Sequence, residues 1–180
     1  FNESWEQLRY QLYLDRVFIA SWYDEPVIQE LLSLAKYYGV QGVLEDLAYI
    51  MQRFWGTADI SSVVSPRSVI VPMPLHRRRE YARGYNQSEL LAAHLANNIG
   101  LCIETDLVER KKYTKQQVGL SAHKREKNIK GSFVVRDRII PRQVLIIDDV
   151  VTTGATCNEL AYVLKQAGVE KVYALVLAKH

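Results

Sequence analysis

The spacing of apolar side chains changes along the chain, and this change predicts the order of its helices and strands. Residues 1–60 read as mainly helical, with apolar positions recurring every three or four residues around 8–14, in 26–34 and in 43–55. A strand is predicted at 17–22. After residue 68, short apolar runs alternate with helical spacing. This second part predicts a strand at 68–72, a helix at 86–98, short strands within 101–110, a strand at 144–147, a helix at 156–166 and a strand at 172–177.

Alternating strands and helices predict an α/β fold with a mostly parallel sheet flanked by helices. The run Val144-Leu145-Ile146-Ile147 is apolar throughout, which is typical of a strand that is buried on both faces. We therefore expect residues 61–180 to form the core of the fold. Residues 1–60 would add a mainly helical segment, a possible hood over the core, within one compact domain.

Charge is distributed unevenly along the chain. The net charge is +3, but residues 1–60 carry 4 Lys/Arg against 9 Asp/Glu, and residues 76–142 carry 15 against 7. A localised basic surface favours anionic ligands such as phosphates or nucleic acid, although many basic faces are only solvated. Two distant cysteines predict neither a disulfide scaffold nor a zinc site and favour the cytoplasm. Short apolar runs predict no membrane insertion.

The strongest chemical signal is an apolar strand that leads into two acids and a Thr/Gly turn. Asp148 and Asp149 follow the strand at 144–147, at the sheet edge where ligands bind in parallel folds. The turn enters a helix whose first N–H groups are unpaired and lie at the positive end of its dipole. This pattern predicts a phosphate cradle, with the acids beside the hydroxyls of an attached ribose. The cradle residues are Thr152, Thr153, Gly154, Ala155 and Thr156.

A second segment follows the strand at 68–72. It is stiffened by prolines and rich in arginine, whose planar guanidinium suits phosphate oxygens. The alternative is a solvated basic turn. The candidate ligand residues here are Pro74, Leu75, His76, Arg77 and Arg79.

A third segment, residues 110–130, carries 8 Lys/Arg and one acid. Its polar composition predicts a flexible basic loop followed by a short helix. The candidate anion-binding residues of this loop are Lys111, Lys112, Lys115 and Arg125.

Taken together, these segments resemble a known family. The turn at 148–156 resembles the phosphoribosyl pyrophosphate (PRPP) motif of type I phosphoribosyltransferases. From about Tyr23 to Ala178 the chain resembles the ComF family, the competence-associated phosphoribosyltransferase-like proteins of bacteria. The motifs that carry this resemblance are the K-Y-x-G element at 36–39, P-x-P-L, RGYNQ, R-x-x-x-T-x-x-Q, L-S-x-x-x-R-x-x-N, G-x-F and DDVxTTGAT. Many members carry a four-cysteine zinc ribbon, which these residues lack, so no zinc is expected in this chain.

The resemblance implies a type I phosphoribosyltransferase fold and Mg²⁺–PRPP chemistry, in which a nucleophile attacks the anomeric carbon while pyrophosphate leaves. Asp148 and Asp149 would be the catalytic pair that orients the ribose. The 72–79 loop and the 111–127 segment would close over the pyrophosphate. Mg²⁺ would be held mainly by oxygens of the ligand and water, so no protein metal ligand is assigned.

Two classes of function are consistent with the sequence. The first is a phosphoribosyltransferase (a glycosyltransferase) whose acceptor is unknown. The second is a non-catalytic component of the DNA uptake machinery of natural competence that senses PRPP or ribose 5-phosphate, with single-stranded DNA and a competence helicase as partners. Tyr81, Tyr85 and Tyr113 lie among the basic residues and are candidates for stacking on bases.

Overall fold

The computed structural model describes residues 13–57, 60–113, 127–136 and 138–180. Its main sheet has five strands, all paired in parallel, in the order β1-β7-β6-β2-β3. This architecture confirms the predicted α/β fold. The elements are β1 (Arg16–Trp22), α1 (Pro26–Tyr38), α2 (Val43–Thr57), β2 (Val69–Pro72), α3 (Arg77–Arg83), α4 (Gln87–Ile99), β3 (Cys102–Ile103), β4 (Val108–Arg110), β5 (Phe133–Val135), β6 (Gln143–Val151), α5 (Ala155–Gln166) and β7 (Lys171–Lys179). Strands β4 and β5 form a separate antiparallel pair.

Strand β6 lies at the centre of the sheet, and its apolar residues are buried on both faces. Leu145 and Ile147 pack with buried side chains of α1, α2 and α4 on one face. Val144 and Ile146 pack against α5 on the other face. Successive strand residues point to opposite faces, so this alternation continues into the acids that follow. None of the described helices is long and apolar enough to cross a membrane.

The N-terminal residues that the structure describes are joined to this sheet. Strand β1 is an edge strand that pairs with β7 from Arg16 to Trp22. Helix α1 starts shortly after it, and the Lys36 side chain in its last turn reaches Asp149 near the end of β6. The end of α1 therefore lies at the carboxyl edge of the sheet, where the candidate site is expected. Most of the short helix predicted around 8–14 falls outside the described residues.

Two local predictions were wrong. The segment predicted as a loop up to Arg79 becomes helical at Arg77, because His76 Nδ1 accepts a hydrogen bond from the Arg78 N–H at 3.1 Å and caps α3. The seven-residue helix then ends at Gly84, whose φ of 88° suits glycine. The strand that was predicted to end at residue 147 continues to Val151, so both acids lie within β6.

Tyr85 is also placed differently from the sequence-based expectation. It is buried, and its hydroxyl donates a hydrogen bond to the carbonyl of Ala35 in the last turn of α1. The prediction that Tyr85 stacks on a nucleic acid base is therefore wrong. Instead, Tyr85, which lies two residues before α4, connects the start of that helix to the end of α1.

This contact makes a prediction for stability. Tyr85→Phe leaves a buried carbonyl without its donor, so we expect the free energy of unfolding to fall by about 1–2 kcal/mol. Urea denaturation followed by circular dichroism measures the change. The matched control is Tyr81→Phe, because Tyr81 is 93% exposed and its loss should change stability by less than about 0.5 kcal/mol. Equal effects of the two substitutions would contradict the role of this hydrogen bond.

Candidate functional site

The two acids of β6 project from opposite faces of the strand and have different partners. Asp148 is only 8% exposed, and its Oδ1 accepts hydrogen bonds from the Ser88 hydroxyl at 3.1 Å and the Asp149 N–H at 2.9 Å. The Cys157 thiol donates a weak hydrogen bond to Oδ2 at 3.8 Å. Asp149 Oδ2 forms an ion pair with Lys36 Nζ at 2.7 Å. Asp149 Oδ1 accepts a hydrogen bond from the Val150 N–H at 2.6 Å.

Electrostatics separates the two acids further. Burial, and secondly the charge of Asp149, raise the pKa of Asp148 to about 7, although Lys36 and the Ser88 hydrogen bond act in the opposite direction. Burial alone would lower the pKa of Lys36, but the adjacent Asp149 carboxylate outweighs burial and raises it. Near neutral pH the site therefore holds a charged Lys36–Asp149 pair beside a carboxyl that changes its protonation state.

A turn that follows β6 forms a small cradle. Gly154 has a φ of 80° and directly precedes α5, whose first residues are Ala155 and Thr156. The Ala155 N–H donates to the Thr153 hydroxyl at 3.4 Å. A cavity of about 70 Å³ lies here, lined by Asp148 and by residues 150–157. All five residues assigned to the phosphate line this cavity, at the amino end of a twelve-residue helix.

Arginines approach the acid pair from α3 and β4. Burial, and secondly the charge of Arg79, lower the pKa of Arg110 to about 10, whereas Asp148 raises it. Burial also lowers the pKa of Arg79, and Arg83 lowers it further, against the effect of Tyr113. Arg79 thus lies within electrostatic range of both Arg83 and Arg110, and Arg110 within electrostatic range of Asp148. Such a convergence of like charges suits an anion.

The other residues predicted for the arginine-rich segment are placed as follows. Arg77 is exposed and pairs with Glu109 at 3.7 Å, so it does not join this group. Pro74 and Leu75 are partly buried in the short loop before α3. That loop is fixed at its start, where Asn86 Nδ2 donates to the Met73 carbonyl at 3.1 Å.

The basic segment after β4 is described only in part. Lys111 and Lys112 are exposed, and Lys112 Nζ donates to the Lys130 carbonyl at 3.4 Å. Lys115 and Arg125 lie outside the described residues, and the loop prediction for 114–126 lies there with them.

Three residues of this site had no role in the sequence-based hypothesis. Lys36 belongs to the K-Y-x-G element, Ser88 follows RGYNQ, and Arg110 begins R-x-x-x-T-x-x-Q. Their membership in these motifs was the available signal. Their convergence on Asp148 and Asp149 could not be deduced, because it depends on the relative placement of four separate elements.

The order of the sheet, with an acid pair near the end of its central strand and a Thr/Gly turn after it, defines a phosphoribosyltransferase-like domain. Residues 86–180 match the family model described as phosphoribosyl transferase domain. A solved structure of the allosteric regulatory enzyme of purine biosynthesis aligns with 75% of this chain and 26% of its own, with a TM-score of 0.50 and 16% identity. This likeness concerns the fold alone.

Curated relatives narrow the class to a family. Competence protein F of Haemophilus influenzae is 32% identical over 170 residues, which are 92% of this chain and 73% of that protein. DNA utilization protein YhgH of Escherichia coli K12 is 37% identical over 110 residues, which are 61% of this chain and 48% of that protein. The chain belongs to the ComF family of phosphoribosyltransferase-like proteins, which confirms the resemblance seen in the sequence. It spans about half the length of the second relative.

The raised pKa of Asp148 predicts how stability depends on pH. The folded protein binds this proton more tightly than the unfolded chain, in which the pKa is near 3.8, so the free energy of unfolding falls as the pH rises from about 4 to about 7. Asp148→Asn has no proton to lose there. The difference in free energy of unfolding between the variant and the parent should therefore shift in favour of the variant by on the order of a few kcal/mol as the pH rises from about 5 to about 8.

Urea denaturation at the two pH values measures this difference. Asp106→Asn serves as the control, since that acid is well exposed and far along the chain from β6. A parent and an Asp148→Asn variant with the same pH dependence would show that Asp148 ionises as readily in the folded protein as in the unfolded chain.

Proposed function

We propose that this protein binds PRPP or ribose 5-phosphate at the carboxyl edge of β6 and β2, as a phosphoribosyltransferase-like protein of DNA uptake and natural competence. One observation supports this most. The acid pair lies in the last residues of β6, the cradle at 152–156 follows it directly, and Arg110 acts electrostatically on Asp148. This order would suit a sugar diol, a phosphate and a pyrophosphate. The names of two relatives, competence protein and DNA utilization protein, support the biological setting.

Each part of the site has a distinct task in this proposal. The N–H groups at the start of α5 and the threonine hydroxyls bind the 5-phosphate. Asp148 and Asp149 accept hydrogen bonds from the ribose hydroxyls and hold the sugar in one orientation. Arg79 and Arg110 stabilise the negative charge that develops on the departing pyrophosphate. The acids and the cradle belong to β6 and to the turn that follows it, whereas the two arginines are supplied by α3 and β4.

The proposed ligand would bring Mg²⁺ with it. The described residues contain no group of three His, Cys, Asp or Glu side chains that could hold a metal. In this proposal the ion is bound mainly by phosphate oxygens, ribose hydroxyls and water. When bound, Mg²⁺ would neutralise part of the pyrophosphate charge. We place the protein in the cytoplasm, because Cys102 and Cys157 are both free thiols.

Transfer and simple binding are separate alternatives within this proposal. In the first, the protein transfers the phosphoribosyl group to an acceptor. In the second, it senses PRPP without turnover. Phosphorus NMR of PRPP with a panel of nucleobases distinguishes them, because only transfer releases pyrophosphate in proportion to a consumed base.

Ligand binding itself is tested by comparing ribose 5-phosphate with inorganic phosphate. Thr153→Val removes a cradle hydroxyl and should lower the affinity for both ligands about tenfold, since a hydrogen bond to a charged group contributes about 1.5–3 kcal/mol. The double variant Asp148→Asn plus Asp149→Asn should weaken ribose 5-phosphate about tenfold or more and leave inorganic phosphate nearly unchanged. Isothermal titration calorimetry gives both affinities.

The control for this comparison is Thr105→Val, an exposed threonine that does not line the cradle cavity, which should bind like the parent. If the acid variant loses equal affinity for both ligands, the acids do not contact the sugar. If Thr153→Val binds both ligands like the parent, the cradle is not the phosphate site.

A second candidate function is binding of single-stranded DNA, and a specific cluster favours it. Tyr113 is 44% exposed, and its ring centroid lies 5.2 Å from that of His76. The guanidinium groups of Arg78 and Arg79 lie 5.7 and 5.9 Å from the Tyr113 ring. An exposed aromatic ring among cations is the combination that single-strand binders use. A competence helicase would be the protein partner in this setting.

DNA binding of this kind should be independent of sequence and should fall steeply with added salt through counterion release. Replacing Lys111, Lys112 and Lys115 together by Ala should weaken binding to every oligonucleotide and flatten the salt dependence. Fluorescence anisotropy with labelled single strands at low and at physiological salt measures both effects. The control is Arg53→Ala, an exposed cation on α2. A parent that does not bind at low salt, or a triple variant that binds equally well, would refute this function.

A further inference from the structure

Lys36 forms an ion pair with one of the two acids, and the proposed ligand chemistry does not require such a pair. Its ammonium lies 2.7 Å from Asp149 Oδ2, and the two side chains are only 18% and 15% exposed. It also acts electrostatically on Asp148. Lys36 is therefore a cation placed at the point where two adjacent carboxylates are removed from water.

Several contacts hold Lys36 in this position. It lies in the last turn of α1, whose carbonyl end attracts cations. Gly39, with a φ of 70°, terminates the helix and donates its N–H to the Leu34 carbonyl. The Tyr85 hydroxyl binds the carbonyl of Ala35, the residue next to Lys36. The K-Y-x-G and RGYNQ elements thus meet at one place and fix the backbone that carries the lysine.

Burial explains why such a cation is needed. Adjacent carboxylates repel one another, and a buried charge is strongly destabilising unless it is paired. A divalent ion is one means of pairing. Here Asp149 already accepts hydrogen bonds at both oxygens, from the Val150 N–H and from the Lys36 ammonium. A divalent ion at Oδ2 would lie beside the Lys36 ammonium and would be repelled by its charge, whereas a neutral ribose hydroxyl would not.

We propose that Lys36 is the built-in counter-ion of the acid pair, a positioning residue that replaces a divalent cation there and lets the pair bind ribose hydroxyls without one. Mg²⁺ then belongs to the pyrophosphate and not to the acids. Binding of ribose hydroxyls by the pair rests on the proposed function. Exclusion of divalent cations by Lys36 does not rest on it, so the two effects are tested separately.

Mn²⁺ alone is the first probe, because it needs no sugar ligand. Paramagnetic broadening of amide signals reports Mn²⁺ near Asp148 and Asp149. We expect no broadening in the parent up to about 1 mM Mn²⁺, clear broadening in Lys36→Met, and its loss again when Asp149→Asn is added. Lys36→Arg keeps the charge and should resemble the parent. Lys36→Gln replaces the Met variant if that variant does not fold.

A matched ion pair elsewhere provides the control. Lys165 Nζ lies 2.6 Å from Asp15 Oδ2, and these side chains are 24% and 20% exposed. Lys165→Met removes one of the two lysines that pair with Asp15, the other being Lys171 at 2.9 Å, at a place away from the carboxyl edge. It should therefore gain no Mn²⁺ signal at β6. A parent that binds Mn²⁺ at the acids as tightly as Lys36→Met overturns the proposal. A neutral variant that gains no Mn²⁺ binding overturns it too.

Ribose 5-phosphate is the second probe. Calorimetry in EDTA and in Mg²⁺ should give parent affinities within about threefold of each other. Lys36→Met should bind about tenfold more weakly in EDTA and recover in Mg²⁺, while Lys165→Met follows the parent. If Lys36→Met binds like the parent in EDTA, Lys36 is not the counter-ion for sugar binding. If the parent binds in neither medium, the proposed function fails, and the Mn²⁺ titration still decides the role of Lys36.

Discussion

A buried pair of adjacent carboxylates at the end of the central strand is the constraint on which the rest of this structure depends. Asp148 pairs with Val176 of β7, and Asp149 lies between this pair and that of Val150 with Ala178, so the strand pairing holds the two acids side by side. Burial, and secondly the charge of Asp149, raise the pKa of Asp148. The surrounding elements are arranged so that both groups are satisfied.

Each flanking element supplies one part of that arrangement. The amino end of α4 brings the Ser88 hydroxyl to Asp148, and α5 brings the Cys157 thiol. The end of α1 brings Lys36 to Asp149, and the Tyr85 hydroxyl fixes that end. The segment between β2 and α4 therefore has a structural task as well as any role in ligand binding. A substitution at Tyr85 should disturb the site through α1, without touching a ligand.

The sequence predicted those parts of the fold and site that depend on neighbouring residues. The apolar run at 144–147, the acids and the Thr/Gly turn are contiguous, and their physical preferences agree, so the central strand was predicted correctly except for its end, which lies at Val151. Helix α3 was missed because its seven residues lack an apolar stripe and depend on His76 and Gly84 at its ends. Lys36 was missed because its partner lies on a distant element. Tyr85 was misjudged because its basic neighbours suggested an exposed position. The ligand roles of the individual residues stay predictions.

The charges of the site are balanced differently on its two sides. On the side of Asp149, a lysine of the protein itself neutralises the acid, and the pair is complete without a ligand. On the side of Asp148, burial and neighbouring guanidinium groups lower the pKa values of Arg79 and Arg110, which means that these cations repel one another. An anion placed among them would relieve that repulsion, whereas a cation would increase it. The acid Asp149 is therefore already neutralised by the protein, whereas Arg79 and Arg110 have a mutual repulsion that an anion between them would reduce.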